Sequence, residues 1–250
     1  VAPNTKNRPA SRVRLYCETD LGPDRSVTIA GGPHHHLHTV LRARVGDDVL
    51  LFNGRDGEWL TRIETTGPKR TSLIPRHRTR EQESLPDVWL VFSPLTKERT
   101  NYAVEKATEL GVARLCPVTM IRTRPCRIVS DRLRSVAIGA AQQCGGLAIP
   151  EIRPLQSLAA LIADWPPERR LFHCDESLAL RPDPPDIRAH AGPKAVLVGP
   201  EGGFDPCERA LLQGRDFTRS LSLGRRILRA ETAVVASLAL LHVLAPVSAS

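Results

Sequence analysis

Residues 195 to 208, AVLVGPEGGFDPCE, constrain this chain more than any other stretch. Four apolar residues, Ala195 to Val198, read as a strand that runs straight into a Gly-Pro-Glu-Gly-Gly turn. A helix must begin at once behind it. Asp205 is a good N-cap, Pro206 suits the first helical position, and Glu208 completes a capping box. The fold therefore has to accommodate a strand, a tight loop and a helix within fourteen residues. Glycines at 199, 202 and 203 remove side chains, so backbone N–H and C=O groups can approach a flat or charged ligand closely. The stretch lacks the terminal Lys-Ser or Lys-Thr of a triphosphate loop and is not Gly-x-Gly-x-x-Gly. Glu201 would repel a phosphate, so a neutral or cationic nucleoside is the better fit; the alternative is a tight strand-to-helix turn with no ligand.

The rest of the chain divides around this element. Residues 1 to 11 are polar and proline-containing, as in a disordered leader. Residues 12 to 78 alternate short β-like runs with turns, and Asn53-Gly54 and Asp56-Gly57 sit where a hairpin would reverse between VLLF and EWLTRI. That pattern predicts a small β-barrel module. Residues 79 to 86 are charged and end at a proline, marking a linker. From 87 to 250 strands alternate with helices, which is the α/β class. The first helix, TKERTNYAVEKATELGV, starts at Thr96, places Ala103, Ala107 and Leu110 on one face and stops at Gly111.

Charge and cysteine usage narrow the setting. Lys and Arg total 35 against 27 Asp and Glu, a net +8 that suits an anionic partner such as nucleic acid. Six scattered cysteines without a Cys-x-x-Cys pair read as reduced thiols of a cytoplasmic protein. The start of the chain lacks the apolar run of a signal peptide, and TAVVASLALLHVLA is too short to span a bilayer. HHHLH at 34 to 38 raises a metal site, but neighbouring histidines in a strand or loop diverge and no acidic or thiol partner has ligand spacing, so no metal is expected.

A second signal is LSLGRRILRAETAVVASLALL, residues 221 to 241. A strand ends at Gly224, Arg225, Arg226 and Arg229 follow, and Glu231-Thr232 open a helix that is apolar nearly all round. Taken with LVGPEGGFDPCE, this segment resembles the RsmE family of the SPOUT methyltransferases. KERTNYAVEKATELGV, AAQQCGGLAIPEI and, in the small domain, RLY and HLHTVLRARVGDDVLLFNG extend the resemblance over nearly the whole chain past residue 12. The chain departs from the family at Gln142, at Gly146 and Ala148 where basic residues are usual, and at Ala230 before Glu231.

The resemblance implies a parallel α/β sheet ending in a C-terminal trefoil knot, preceded by a PUA-like RNA-binding barrel. It implies a homodimer that methylates N3 of a uridine in the 16S RNA of the small ribosomal subunit, with S-adenosylmethionine as cofactor and no membrane partner. Carried over position by position, Leu197, Gly199, Glu201, Gly202 and Gly203 would line one side of the cofactor pocket. Leu223, Gly224, Ile227, Leu228 and Thr232 would line the other. Methyl transfer to uracil N3 is an in-line displacement that must lose the imide proton, and a cation near O2 or O4 stabilises the developing anion. Arg229 is the first candidate and Arg14 the second, while Glu231 either orients Arg229 or takes the proton. His36, Arg42, Arg44, Arg122, Arg124 and Arg127 are candidate RNA contacts. Two rivals remain at this level: a relative acting on another RNA position, and a non-catalytic RNA-binding protein that has kept the pocket.

Overall fold

A computed structural model describes residues 13–125, 128–178, 190 and 192–243, the last of these by its backbone. The expected leader, Arg127 and the chain beyond 243 lie outside the described residues. Two compact units result: one runs through Ser84 and takes in Gln142–Ala148, the other comprises Leu85–Ala141 and the chain from Ile149.

In the first unit, β1 (Arg14–Tyr16), β2 (Val27–Ala30), β3 (Asp48–Phe52), β4 (Glu58–Thr66) and β5 (Arg70–Arg80) form one sheet in the order β1-β3-β4-β5-β2. β1 runs parallel to β3 and the other pairs are antiparallel. The Asn-Gly and Asp-Gly dipeptides do turn the β3–β4 hairpin. Asn53 Oδ1 accepts the N–H groups of Arg55 and Asp56 at 3.0 and 2.9 Å, and its Nδ2 donates to Asp56 Oδ2 at 2.7 Å. Gly57 completes the turn at φ 81°, where a Cβ would sit 2.3 Å from the Arg80 carbonyl oxygen. That close approach keeps β5 paired to its last residue, with Arg80 opposite Glu58. β5 therefore runs two residues beyond the boundary expected at 78.

The histidine run differs from its expected strand or loop. α1 (Gly31–His35) continues into a single wide turn of π-helix over His36–Val40. His34 and His38 consequently share a face and stack with centroids 5.3 Å apart, and the buried His34 meets Thr71 Oγ1 at 3.0 Å. Among the described residues no group of three or more His, Cys, Asp or Glu side chains could hold a metal ion.

The second unit is a parallel sheet with helices on both faces. Its strands are β6 (Val88–Phe92), β7 (Arg114–Thr119), β8 (Glu151–Ile152), β9 (Gln156–Ser157), β10 (Arg170–Cys174), β11 (Lys194–Val198) and β12 (Thr218–Leu221). The order is β12-β10-β11-β6-β7-β8, with β9 paired to β7, and every pairing is parallel. α2 (Lys97–Glu109), α3 (Ser130–Cys144) and α6 (Ala230–Val243) cover one face, packing Ala103, Val104, Ala137, Val234 and Leu238 on Leu90, Phe92, Val196 and Val198. α4 (Leu158–Ala163) and α5 (Pro206–Gln213) cover the other, where Leu161, Ile162 and Leu212 meet Val91, Ala195 and Leu197. Strands covered on both sides cannot alternate polar and apolar residues, which is why VWLVF and KAVLV are almost wholly apolar. Among the described residues no helix is long and apolar enough to cross a membrane.

Candidate functional site

The carboxyl ends of β11, β10 and β12, three neighbouring parallel strands, open into a cavity of about 510 Å3. This is the edge at which open α/β sheets bind ligands, because the loops diverge there. The volume lies within the range of small-molecule sites.

The first wall is the β11–α5 loop, held from below and behind. Phe204 is fully buried and packs beneath Gly199, where an added Cβ would come within 3.0 Å of its ring. The capping box forms as the residue types predict: Asp205 Oδ1 accepts the Cys207 N–H and Glu208 Oε2 accepts the Asp205 N–H, both at 3.0 Å. The second oxygen of Glu208 accepts the Ile121 N–H at 2.7 Å, so one carboxylate both starts α5 and anchors the loop after β7. Gly203 adopts φ 69°, and a Cβ there would stand 2.2 Å from Glu176 Oε1. The cradle is thus shaped to leave backbone facing the cavity.

The second wall comes from β10 and was not anticipated. Cys174, Asp175 and Glu176 line the cavity. Burial pushes the Cys174 thiol up to about 12, so it is a neutral, apolar wall element rather than a thiolate nucleophile. Burial also works to raise the Asp175 carboxyl, but hydrogen bonds from Ser177 and the Arg209 guanidinium outweigh it and hold the group below its ordinary range. Arg209 Nε reaches Asp175 Oδ1 at 3.3 Å and its Nη2 reaches Glu176 Oε1 at 2.5 Å, tying α5 to the end of β10.

The third wall is the turn from β12 to α6. Leu223, Gly224, Arg226, Ile227, Leu228 and Arg229 all line the cavity, and Ile227 is 78% exposed although it is a large apolar residue. Arg99, from the first turn of α2, closes the mouth. It pairs with Glu201 of the first wall and approaches Glu231 Oε1 at 3.6 Å beside the third. Glu201 also faces Arg124 at 3.7 Å.

Of the residues expected to bind a cofactor, Gly199, Glu201, Gly202, Gly203, Leu223, Gly224, Ile227 and Leu228 line this cavity, as does Arg229. Leu197 does not: it is fully buried in β11 against the α4–α5 side of the sheet. Thr232 is exposed on α6 and Glu231 lies behind Arg99, neither forming part of the lining. Arg14 belongs to the first unit. Its Nε donates to Glu58 Oε2 at 2.6 Å, its Nη atoms to the carbonyls of Gln142, Gly145 and Gly146, and its guanidinium covers the Phe52 ring. His36, Arg42 and Arg44 are exposed in that unit, and Arg122 and Arg124 are exposed in the other. Arg99, Asp175 and Glu176 escaped sequence reasoning because each is a charged residue at the end of an ordinary element, and only the packing of that element brings it to the site.

Two family models match this chain. The model described as RNA methyltransferase domain covers residues 81–242. The chain belongs to the RNA methyltransferase family. The second match, described as RNA methyltransferase PUA domain, covers residues 35–75 and so falls within the first unit. A Rickettsia conorii relative of this family, Ribosomal RNA small subunit methyltransferase E, is 29% identical over 239 residues, spanning 92% of this chain and 95% of its own. Among solved structures, a Ribosomal RNA small subunit methyltransferase E from Neisseria gonorrhoeae bound to S-adenosyl methionine superposes with a TM-score of 0.83 at 27% identity, covering 94% of this chain and 98% of that one. A methyltransferase from Legionella pneumophila in complex with the bound cofactor SAM gives 0.79 at 26% identity over 94% and 98% of the two chains.

Proposed function

We propose that this family member uses S-adenosylmethionine to methylate N3 of a uridine in the 16S RNA of the small ribosomal subunit. The single observation that carries the reading is the cavity at the β10, β11 and β12 ends, whose lining suits the cofactor part by part. Backbone at Gly199 to Gly203 and apolar side chains of Leu223, Ile227 and Leu228 suit a purine nucleoside. Carboxylates of Asp175, Glu176 and Glu201 suit hydroxyl, ammonium and sulfonium groups, and Arg99 and Arg226 suit a carboxylate. Bound there, the cofactor supplies an electrophilic methyl group.

The chain's own residues then position and stabilise. Arg229, exposed on the cavity rim, is the cation that offsets the negative charge that grows on a uracil carbonyl as the N3 proton leaves. Glu231 has one carboxylate oxygen buried without a hydrogen-bond partner, which suits a group that accepts a proton or takes a donor when substrate arrives. Arg14 would have to release Glu58 and several carbonyls before facing a substrate, so the cation role rests on Arg229. Exposed His36, Arg42 and Arg44 in the first unit and Arg122 and Arg124 in the second supply sequence-independent RNA contacts. A C-terminal trefoil knot is part of this reading, and the packing of α6 against α2 and β11 supports it. A cytoplasmic homodimer completes the proposal, consistent with the exposed apolar Tyr102 on α2 and Leu240 on α6.

The test is incubation with S-adenosylmethionine and unmodified small ribosomal subunits, or naked 16S RNA, followed by nuclease digestion and mass spectrometry of the nucleosides. 3-Methyluridine is the expected product. A different methylated nucleoside would move the target, and cofactor binding without methylation would refute the choice of substrate.

A further inference from the structure

A second cavity, of about 340 Å3, lies at the amino ends of α2 and α3 in the second unit. Lys97, Arg124 and Arg132 line it and no carboxylate does. This contrasts with the cofactor cavity, whose lining holds Asp175, Glu176 and Glu201 beside its arginines. Lys97 and Arg132 have no ion-pair partner among the described residues, and Arg132 Nη2 is withdrawn from solvent without a hydrogen bond. A buried charged donor left unbonded is costly unless a ligand completes it. Lys97 also occupies the first position of α2, where the helix dipole disfavours a cation, and the Thr96 hydroxyl makes no capping bond. Two unpaired cations, a free hydroxyl and a helix start that favours negative charge all face one space.

The space is joined to the transfer site. A recess of about 240 Å3 shares Leu95, Thr96 and Arg124 with the basic cavity, and Pro200, Glu201 and Gly202 with the cofactor cavity. We infer that the basic cavity holds a backbone phosphodiester of the RNA substrate, next to the nucleotide whose base enters the transfer site, with Lys97 and Arg132 as its principal ligands. The inference rests on the RNA substrate proposed above. It assigns the chain a phosphate subsite that sets the register of the strand, separate from the residues that hold cofactor or base.

The decisive experiment measures binding of a 16S RNA transcript to the wild-type protein and to the double variant Lys97→Gln/Arg132→Gln between about 50 and 200 mM salt, with S-adenosylmethionine affinity and oligomeric state measured on the same preparations. Loss of one phosphate contact should weaken RNA binding roughly tenfold and make the slope of log affinity on log salt shallower by about 0.7. Cofactor affinity and oligomeric state should not change, and Lys97→Arg/Arg132→Lys should restore RNA binding. The exposed single variant Lys97→Glu gives the same readout if the double variant fails to fold. Unchanged RNA affinity and slope would overturn the inference. So would a changed oligomeric state with an unchanged slope, which would assign the cavity to a second copy of the chain. A wild-type protein that neither binds nor methylates 16S RNA would instead strike down the proposed substrate.

Discussion

Replacing Gly203 by alanine isolates what the glycine loop contributes. The residue sits at φ 69°, where a side chain costs about 1–2 kcal/mol. The new Cβ would also stand 2.2 Å from Glu176 Oε1, so the carboxylate must swing away from Arg209, whose Nη2 it meets at 2.5 Å. That pair is part-exposed and adds no more than about 1 kcal/mol. Gly203→Ala should therefore destabilise the second unit by about 2 kcal/mol, which lowers Tm by about 4–8 °C. Glu176 and the loop both line the cofactor cavity, so S-adenosylmethionine affinity should fall at least roughly tenfold, read by isothermal titration. Gly202→Ala is the control. Its backbone is not left-handed, and its Cβ would meet only the Arg122 side chain at 3.3 Å, an exposed group that can turn away. Equal Tm and equal cofactor affinity for the wild type and Gly203→Ala would refute the reasoning, as would identical losses at 202 and 203.

Three other outcomes follow from the same geometry. Arg229→Ala should leave the thermal transition in place and reduce methyl transfer at least about a hundredfold, because the side chain is exposed at the cavity rim and outside the core; single-turnover kinetics checks it, and unchanged turnover removes Arg229 from the mechanism. The Asp175 carboxyl is held below its ordinary value of 3.8, so its contribution to stability is complete above that pH and is lost as pH falls through the lowered value. Denaturation by urea across the acid range should accordingly show a shallower loss for Asp175→Asn than for the wild type. Gly57→Ala should destabilise the first unit by more than Gly203→Ala does the second, since its Cβ meets the Arg80 carbonyl, a backbone atom that cannot rotate away; the melting transition of that unit reports it.

The candidate site was legible where its causes are local. The capping box at Asp205, Pro206 and Glu208 depends on residues three apart and forms as their types require. The β3–β4 hairpin follows from Asn53 and Asp56 for the same reason. The histidine run was misread because strand and helix are both compatible with a short polar stretch, and the stacking of His34 on His38 together with the buried bond to Thr71 accompanies the helical choice. Leu197 and Thr232 were placed in the pocket by their position within matching motifs. Neighbours along a strand point to opposite faces, and that alternation put Val198 at the cavity and Leu197 in the core.

By itself, then, the sequence determined the class of the fold and the strand–loop–helix unit, since these are written in apolar runs, glycines and caps that act over a few residues; that the two loops face one another was implied by the family resemblance alone. Tertiary structure alone decided which charged groups complete the site. Arg99 reaches Glu201 across 102 positions of sequence, Arg209 meets Asp175 across 34, and Gln142–Ala148 joins the first unit although the chain around it belongs to the second. Such partners are chosen by which strand lies beside which in the sheet, and that order is set by the burial of both faces of β6, β10 and β11 rather than by any property of the charged residues themselves.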